Sequence, residues 1–143
     1  MRYERIEDLV HAYSDAVTRQ DTPQLRGTWE DDALWELQPG QPVEGIDAIV
    51  GLFEAAIHSL HHVIQVVYNG AYRIDDSGDR ATGRYYVQEF FERMSGDRGT
   101  LLAYYDDEYT RRDGGWRFAS RRLVLLYSGA GDLSGSFDAP SLG

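Results

Sequence analysis

TLLAYYDDEYTRRDGGWRFASRRLVLLY, residues 100–127, is two long runs of aromatic and branched side chains on either side of the tight turn Asp113-Gly114-Gly115. That composition around glycine reads as a β-hairpin. Upstream the pattern repeats. His62 to Ile74 and Arg80 to Met94 are two further β-rich runs, separated by the turn residues Asp75-Asp76-Ser77-Gly78-Asp79. Ser95 to Gly99 is another turn, and Asn69-Gly70 marks a bulge or kink inside the first run. Four long strands joined by short turns form an antiparallel meander.

The N-terminal half reads differently. Ile6, Leu9, Val10, Tyr13 and Val17 recur at helical spacing, as do Ile46, Ile49, Val50, Phe53, Ile57 and Leu60. The first helix stops near Gln20-Asp21. Thr22-Pro23 then reads as a cap with proline in the first turn of a short second helix, which Gly27 ends. Ala33 to Leu37 is a short strand closed by Pro39-Gly40. Helices followed by consecutive strands define an α+β class. Residues 1–127 read as one domain, and 128–143, rich in glycine and serine, as a flexible tail or a lid.

With 143 residues and a 42% hydrophobic fraction, there is enough apolar material for one sizeable core. There is no cysteine and every cationic side chain is arginine, which excludes thiolate and lysine Schiff-base chemistry. A net charge of −10 disfavours a nucleic-acid partner. No run has the length and apolarity to span a bilayer, so no membrane partner and a cytoplasmic location are expected.

Both parities of the last strand carry bulky apolar groups: Trp116, Phe118, Val124 and Leu126 on one, Leu123, Leu125 and Tyr127 on the other. The second face is covered by another subunit, or these are ordinary exposed apolar residues. His58, His61 and His62 straddle a helix end and a strand start, and a metal would need them convergent with a third ligand. No metal and no cofactor are expected. Asp21 has a plain reading as a helix-terminus carboxylate, and Asp106-Asp107-Glu108 alternates faces within a strand. Of His61 and His62, one should enter the interior. Arg121 stands mid-strand among apolar neighbours, so it must snorkel, pair with an acid, or face a polar cavity.

The ordered set Tyr13-Ser14-Asp15 through Asp21, Trp29-Glu30-Asp31-Asp32-Ala33-Leu34-Trp35, His62 opening a strand, and Asp107-Glu108-Tyr109 through Trp116-Arg117-Phe118 resembles the SnoaL-like proteins. These belong to the nuclear-transport-factor-2-like superfamily. The likeness covers about residues 5–127 and is to the dehydrochlorinase and dehydratase branch. It implies a cone-shaped, curved antiparallel sheet packed on three N-terminal helices around a cavity. It also implies a cofactor-independent lyase or isomerase acting on a hydrophobic cyclic small molecule, in a homo-oligomer (dimer or trimer).

In that branch an aspartate orients a histidine that takes a proton from carbon, and an arginine stabilises the departing anion. By likeness these roles fall on Asp21, His62 and Arg121, with Trp35 lining the pocket. Phe53 and Tyr13 join it as substrate-binding candidates. Two departures stand out. Ala16 replaces a lysine or tyrosine of relatives, and Phe91 lies near the second histidine of scytalone dehydratase. Tyr86, Gln88, Tyr105 or Asp106 could take over leaving-group assistance, depending on which strand face looks inward. The expected outcome is that His62→Ala abolishes turnover. The rival readings are a non-catalytic hydrophobic-ligand binder, a scaffold, and polyketide cyclase or epoxide hydrolase chemistry in the same pocket.

Overall fold

The computed structural model describes residues 2–132 and the two-residue strand Ser136–Phe137. Helix α1 (Ile6–Arg19) buries Ile6, Leu9, Val10, Tyr13, Ala16 and Val17 along one stripe. It ends at Gln20 in the left-handed region, φ 55°. Helix α2 (Thr22–Arg26) is capped by Asp21, one residue earlier than the expected Thr22. The Asp21 side chain accepts from the Gln24 backbone N–H at 3.0 Å, satisfying a donor that the short helix leaves free. Strand β1 (Trp29–Glu36) starts well before the expected Ala33, and β2 (Val43–Glu44) was not foreseen. Helix α3 (Ile46–His58) follows, then β3 (Leu60–Ile74), β4 (Arg80–Arg93), β5 (Arg98–Arg112), β6 (Gly115–Gly129) and β7 (Ser136–Phe137).

The sheet order is β2-β1-β6-β5-β4-β3, with β7 pairing β6. The meander β3 to β6 is antiparallel as expected, while β1 adds to β6 in parallel. The hairpin turn at Asp113-Gly114 has both residues at positive φ (52° and 76°), the twist that two long right-handed strands need. The helices cover one face of the curved sheet. Trp29, Trp35, Phe53, Tyr105 and Phe118 meet there with the α1 stripe in one continuous core.

Register irregularities decide which side chains enter that core. One lies between Val67 and Gly70, at the expected Asn69-Gly70 kink. Another inserts Ala119 into β6, since Glu108 pairs with Ser120 but Tyr109 pairs with Phe118. The extra residue shifts the alternation, so Phe118 and Arg121 both point inward. Plain alternation had placed Phe118 and Leu123 on opposite faces, whereas Leu123 also packs against the core. On the other face Ile64 and Phe90, cross-strand partners, are exposed.

Most of the expected tail, 128–143, lies outside the described residues. Within it, β6 runs on to Gly129, and Ser136–Phe137 pairs back onto Tyr127–Ser128. Among the described residues no helix is long and apolar enough to cross a membrane.

Candidate active site

Between the helices and the concave face of the sheet lies a cavity of about 180 Å³. Its walls are mostly apolar, with Trp35, Phe53, Val63, Val87, Leu101 and Leu123 among them. Four polar side chains enter it: Tyr13 from α1, Gln65 from β3, Glu89 from β4 and Tyr105 from β5. The strand residues arrive by alternation. Val63 and Gln65 share the inward parity on β3, Val87 and Glu89 on β4, and Leu101 and Tyr105 on β5.

Two hydrogen-bonded groups organise the polar side chains. The hydroxyls of Tyr13 and Tyr105 lie 3.2 Å apart. Burial pushes both phenols above their ordinary range, so they stand as neutral O–H groups. Beneath their rings lies Arg121, its Cζ 4.4 Å from the Tyr13 centroid, 3.9 Å from that of Tyr105 and 4.2 Å from that of Phe118. Arg121 is clamped by Asp107: Nε donates to Oδ1 at 2.7 Å and Nη2 to Oδ2 at 3.1 Å. Tyr109 donates a third hydrogen bond to the same carboxylate at 2.8 Å. Burial pulls the guanidinium down, but the Asp107 charge more than offsets this, and Arg121 stays charged.

The second group is a chain: Ser14 Oγ donates to Gln65 Oε1 at 2.7 Å, and Gln65 Nε2 donates to Glu89 Oε2 at 3.1 Å. Gln65 and Glu89 are direct cross-strand partners. Burial pushes the Glu89 carboxyl above its ordinary value, and the Gln65 hydrogen bond draws it part of the way back. Among the described residues Glu89 is the one charged side chain lining the cavity.

The residues expected from the resemblance divide sharply. Tyr13, Trp35, Phe53 and Tyr105 line the cavity. Arg121 is fully buried next to it, but behind the tyrosine rings and already paired. Tyr86 and Gln88 fall on the opposite parity from Val87 and Glu89 and leave the cavity. Tyr86 packs on Tyr104 at 5.6 Å between centroids, and Gln88 bonds Tyr68 and Thr100. Asp106 likewise faces away, held between Arg84 and Arg122.

The expected Asp21–His62 pair is not formed. Val63 and Gln65 turn inward, so alternation turns His62 outward with Ile64, and its side chain is 79% exposed. Its nearest carboxylate is Glu92, at 3.9 Å. The register shifts between Leu60, which lines the cavity, and His62, and His61 at that irregularity stands at the strand mouth, exposed beside the same Glu92 at 3.5 Å. Asp21 is occupied as the α2 cap and pairs with Arg19 at 3.2 Å. Among the described residues no three His, Asp or Glu side chains converge on a metal-sized point.

Glu89 was missed. Its signal was present in the alternation Tyr85, Val87, Glu89, but choosing that parity over Tyr86 and Gln88 requires knowing which face the helices cover. A larger groove of about 740 Å³ opens on the far face, floored by Arg84, Asp106 and Arg122. Its charges neutralise one another, and it is open to solvent.

A hollow with a few convergent polar groups, set between α1, α3 and a bent, mostly antiparallel sheet, is the architecture of small-molecule sites. The chain belongs to the SnoaL-like domain family, whose model matches residues 2–122. It is 29% identical over 127 residues to the gamma-hexachlorocyclohexane dehydrochlorinase of Sphingobium indicum, covering 85% of this chain and 79% of that one. The crystal structure of LinA superposes with a TM-score of 0.80 at 27% identity, covering 95% of this chain and 92% of that one. A scytalone dehydratase-like protein of Novosphingobium aromaticivorans shares the fold, with a TM-score of 0.83 at 19% identity over 96% and 93% of the two chains.

Proposed function

We infer that this protein is a cofactor-free lyase or isomerase that removes a proton from carbon in a small, cyclic, largely hydrophobic molecule held inside the cavity. The observation that carries the reading is the Tyr13–Tyr105 hydroxyl pair inside an apolar hollow, with the Arg121 charge under both rings. Two neutral phenols in a dry site are preorganised donors for negative charge that develops on a leaving group or an enolate oxygen. The buried guanidinium makes those donors stronger, because little solvent screens it. Family membership and the dehydrochlorinase relatives support the same reaction class.

Assigning proton removal to His62 held by Asp21, as the resemblance implies, would require the start of β3 to slip by one residue. That slip would bring His62 in and put Val63 out. The present register gives no support to that version. A non-catalytic binder is the second reading, favoured by that same outward histidine.

Chloride release from γ-hexachlorocyclohexane, and enzyme-dependent exchange of the α-protons of cyclohexanone in heavy water, test the proposal. Either activity, lowered about tenfold or more by Tyr105→Phe, supports it. Tight binding of both molecules with neither reaction would favour the binder.

A further inference from the structure

We propose that Glu89 is the general base of this cavity, its carboxylate taking the proton from a carbon of a single-ring substrate while Gln65, anchored by Ser14, holds it in place. The inference rests on the lyase reading above and supplies the proton acceptor that reading lacks.

Four observations carry it. Glu89 is, among the described residues, the one charged side chain lining the cavity, and Arg121 is set apart from it behind the tyrosine rings. Its orientation is determined, because Ser14 engages Gln65 Oε1 and so turns the amide nitrogen toward Glu89 Oε2. Only Oε2 is engaged; among the described residues Oε1 accepts no hydrogen bond. Among the described residues the carboxylate also has no arginine, lysine or histidine partner, so its negative charge is not neutralised and it keeps its basicity. The groups facing it are Ser14 and Tyr13 from α1, Gln65 from β3 and Tyr105 from β5; none of them is cationic.

The step balances without a co-reactant. Glu89 Oε1 forms a bond to hydrogen as the C–H bond breaks. The C–H electron pair becomes the new C=C bond. The leaving group on the adjacent carbon departs with its own bonding pair, either as chloride or as water after accepting a proton from a tyrosine hydroxyl. Glu89 then releases its proton to solvent, and where water was the leaving group the tyrosine takes one back from solvent, so that both groups return to their starting state. The cavity volume limits the substrate to about one six-membered ring, since an apolar cavity of roughly 150 Å³ accommodates benzene.

The test uses the whole protein and the same two probes. Wild type should exchange the α-protons of cyclohexanone at a rate that rises with pH as a carboxyl ionises and then levels off. Glu89→Gln should lower that rate, and chloride release, by about 100-fold or more, and flatten the pH profile. Cyclohexanone binding followed by NMR should persist in the variant. Glu89→Asp, which draws the carboxylate back by one methylene, should retain an intermediate rate. If Glu89→Gln does not fold, the Asp variant decides the matter alone: an unchanged rate and pH profile overturns the proposal. Unaltered activity in Glu89→Gln would remove Glu89 and leave the lyase reading standing. A wild type inert toward both probes would remove that reading and Glu89 with it.

Discussion

Asp107, buried, and Glu89, half-buried, are acids on the inner side of neighbouring strands, yet they are held in opposite ways. Asp107 receives three charge-assisted or phenolic hydrogen bonds and sits against a guanidinium. Glu89 has one neutral amide on one oxygen. A buried carboxylate with several partners is a structural element: its lone pairs are engaged, and although burial holds the Asp107 carboxyl above its ordinary value, the Arg121 charge and the hydrogen bonds draw it back. A half-buried carboxyl with a free oxygen beside a hollow is poorly solvated and open to a ligand, the condition in which proton transfer is effective. The tyrosine pair lies between the two, with Arg121 on one side and the cavity on the other.

The most severe way to break this contrast is Arg121→Met. It strands Asp107 as an uncompensated buried charge, and a loss of about 3–5 kcal/mol is expected in urea unfolding at neutral pH. Next in size, Tyr105→Phe removes one donor from the hydroxyl pair while leaving Arg121 and the ring packing in place. A drop of about 10-fold or more in either probe reaction is expected, with little change in melting temperature.

The comparison is sharpened by Glu89→Gln, which should raise the melting temperature at neutral pH. The folded-state value of Glu89 is raised above its ordinary 4.5, so folding favours the protonated form. Its contribution is fully present below the ordinary value and is lost as pH rises through the folded-state value. The variant should therefore outlast wild type near pH 7 and match it below about pH 4 in a series of thermal melts. Smallest of all, His62→Ala should shift stability by no more than about 0.5 kcal/mol and leave the probe reactions nearly unchanged, because the imidazole is solvated on the outer face. A large loss of activity in that variant would return the proton acceptor to His62.

Much of the architecture was legible in the chain. The α1 and α3 stripes, the four-strand meander, the Asn69-Gly70 irregularity and the Asp113-Gly114 turn are local patterns with local causes. Of the site, Tyr13, Trp35 and Phe53 were readable as pocket candidates from the resemblance and the apolar stripes, while Tyr105 stood undecided beside Tyr86, Gln88 and Asp106 until the strand face was known. Tyr86, Gln88 and His62 were misplaced for one reason: each stands one residue away from the inward parity. In a strand one residue is the difference between core and solvent.

Asp21 illustrates the same limit on a helix end. Its position after α1 fits either a catalytic partner or a cap, and the need of α2 for an N-terminal acceptor made it the cap.

Periodicity and turn chemistry along the chain therefore determined the helices and the order of the four-strand meander, because those signals act over a few residues; β2 and the parallel place of β1 beside β6 came from the tertiary structure. Which face of each strand looks inward was decided by the tertiary structure alone. It depends on where the helices dock and on register shifts such as the one at Ala119, whose effect appears only when β6 is laid against β5. That placement turns Glu89, Gln65 and the two tyrosines toward one hollow and leaves both strand-mouth histidines outside it.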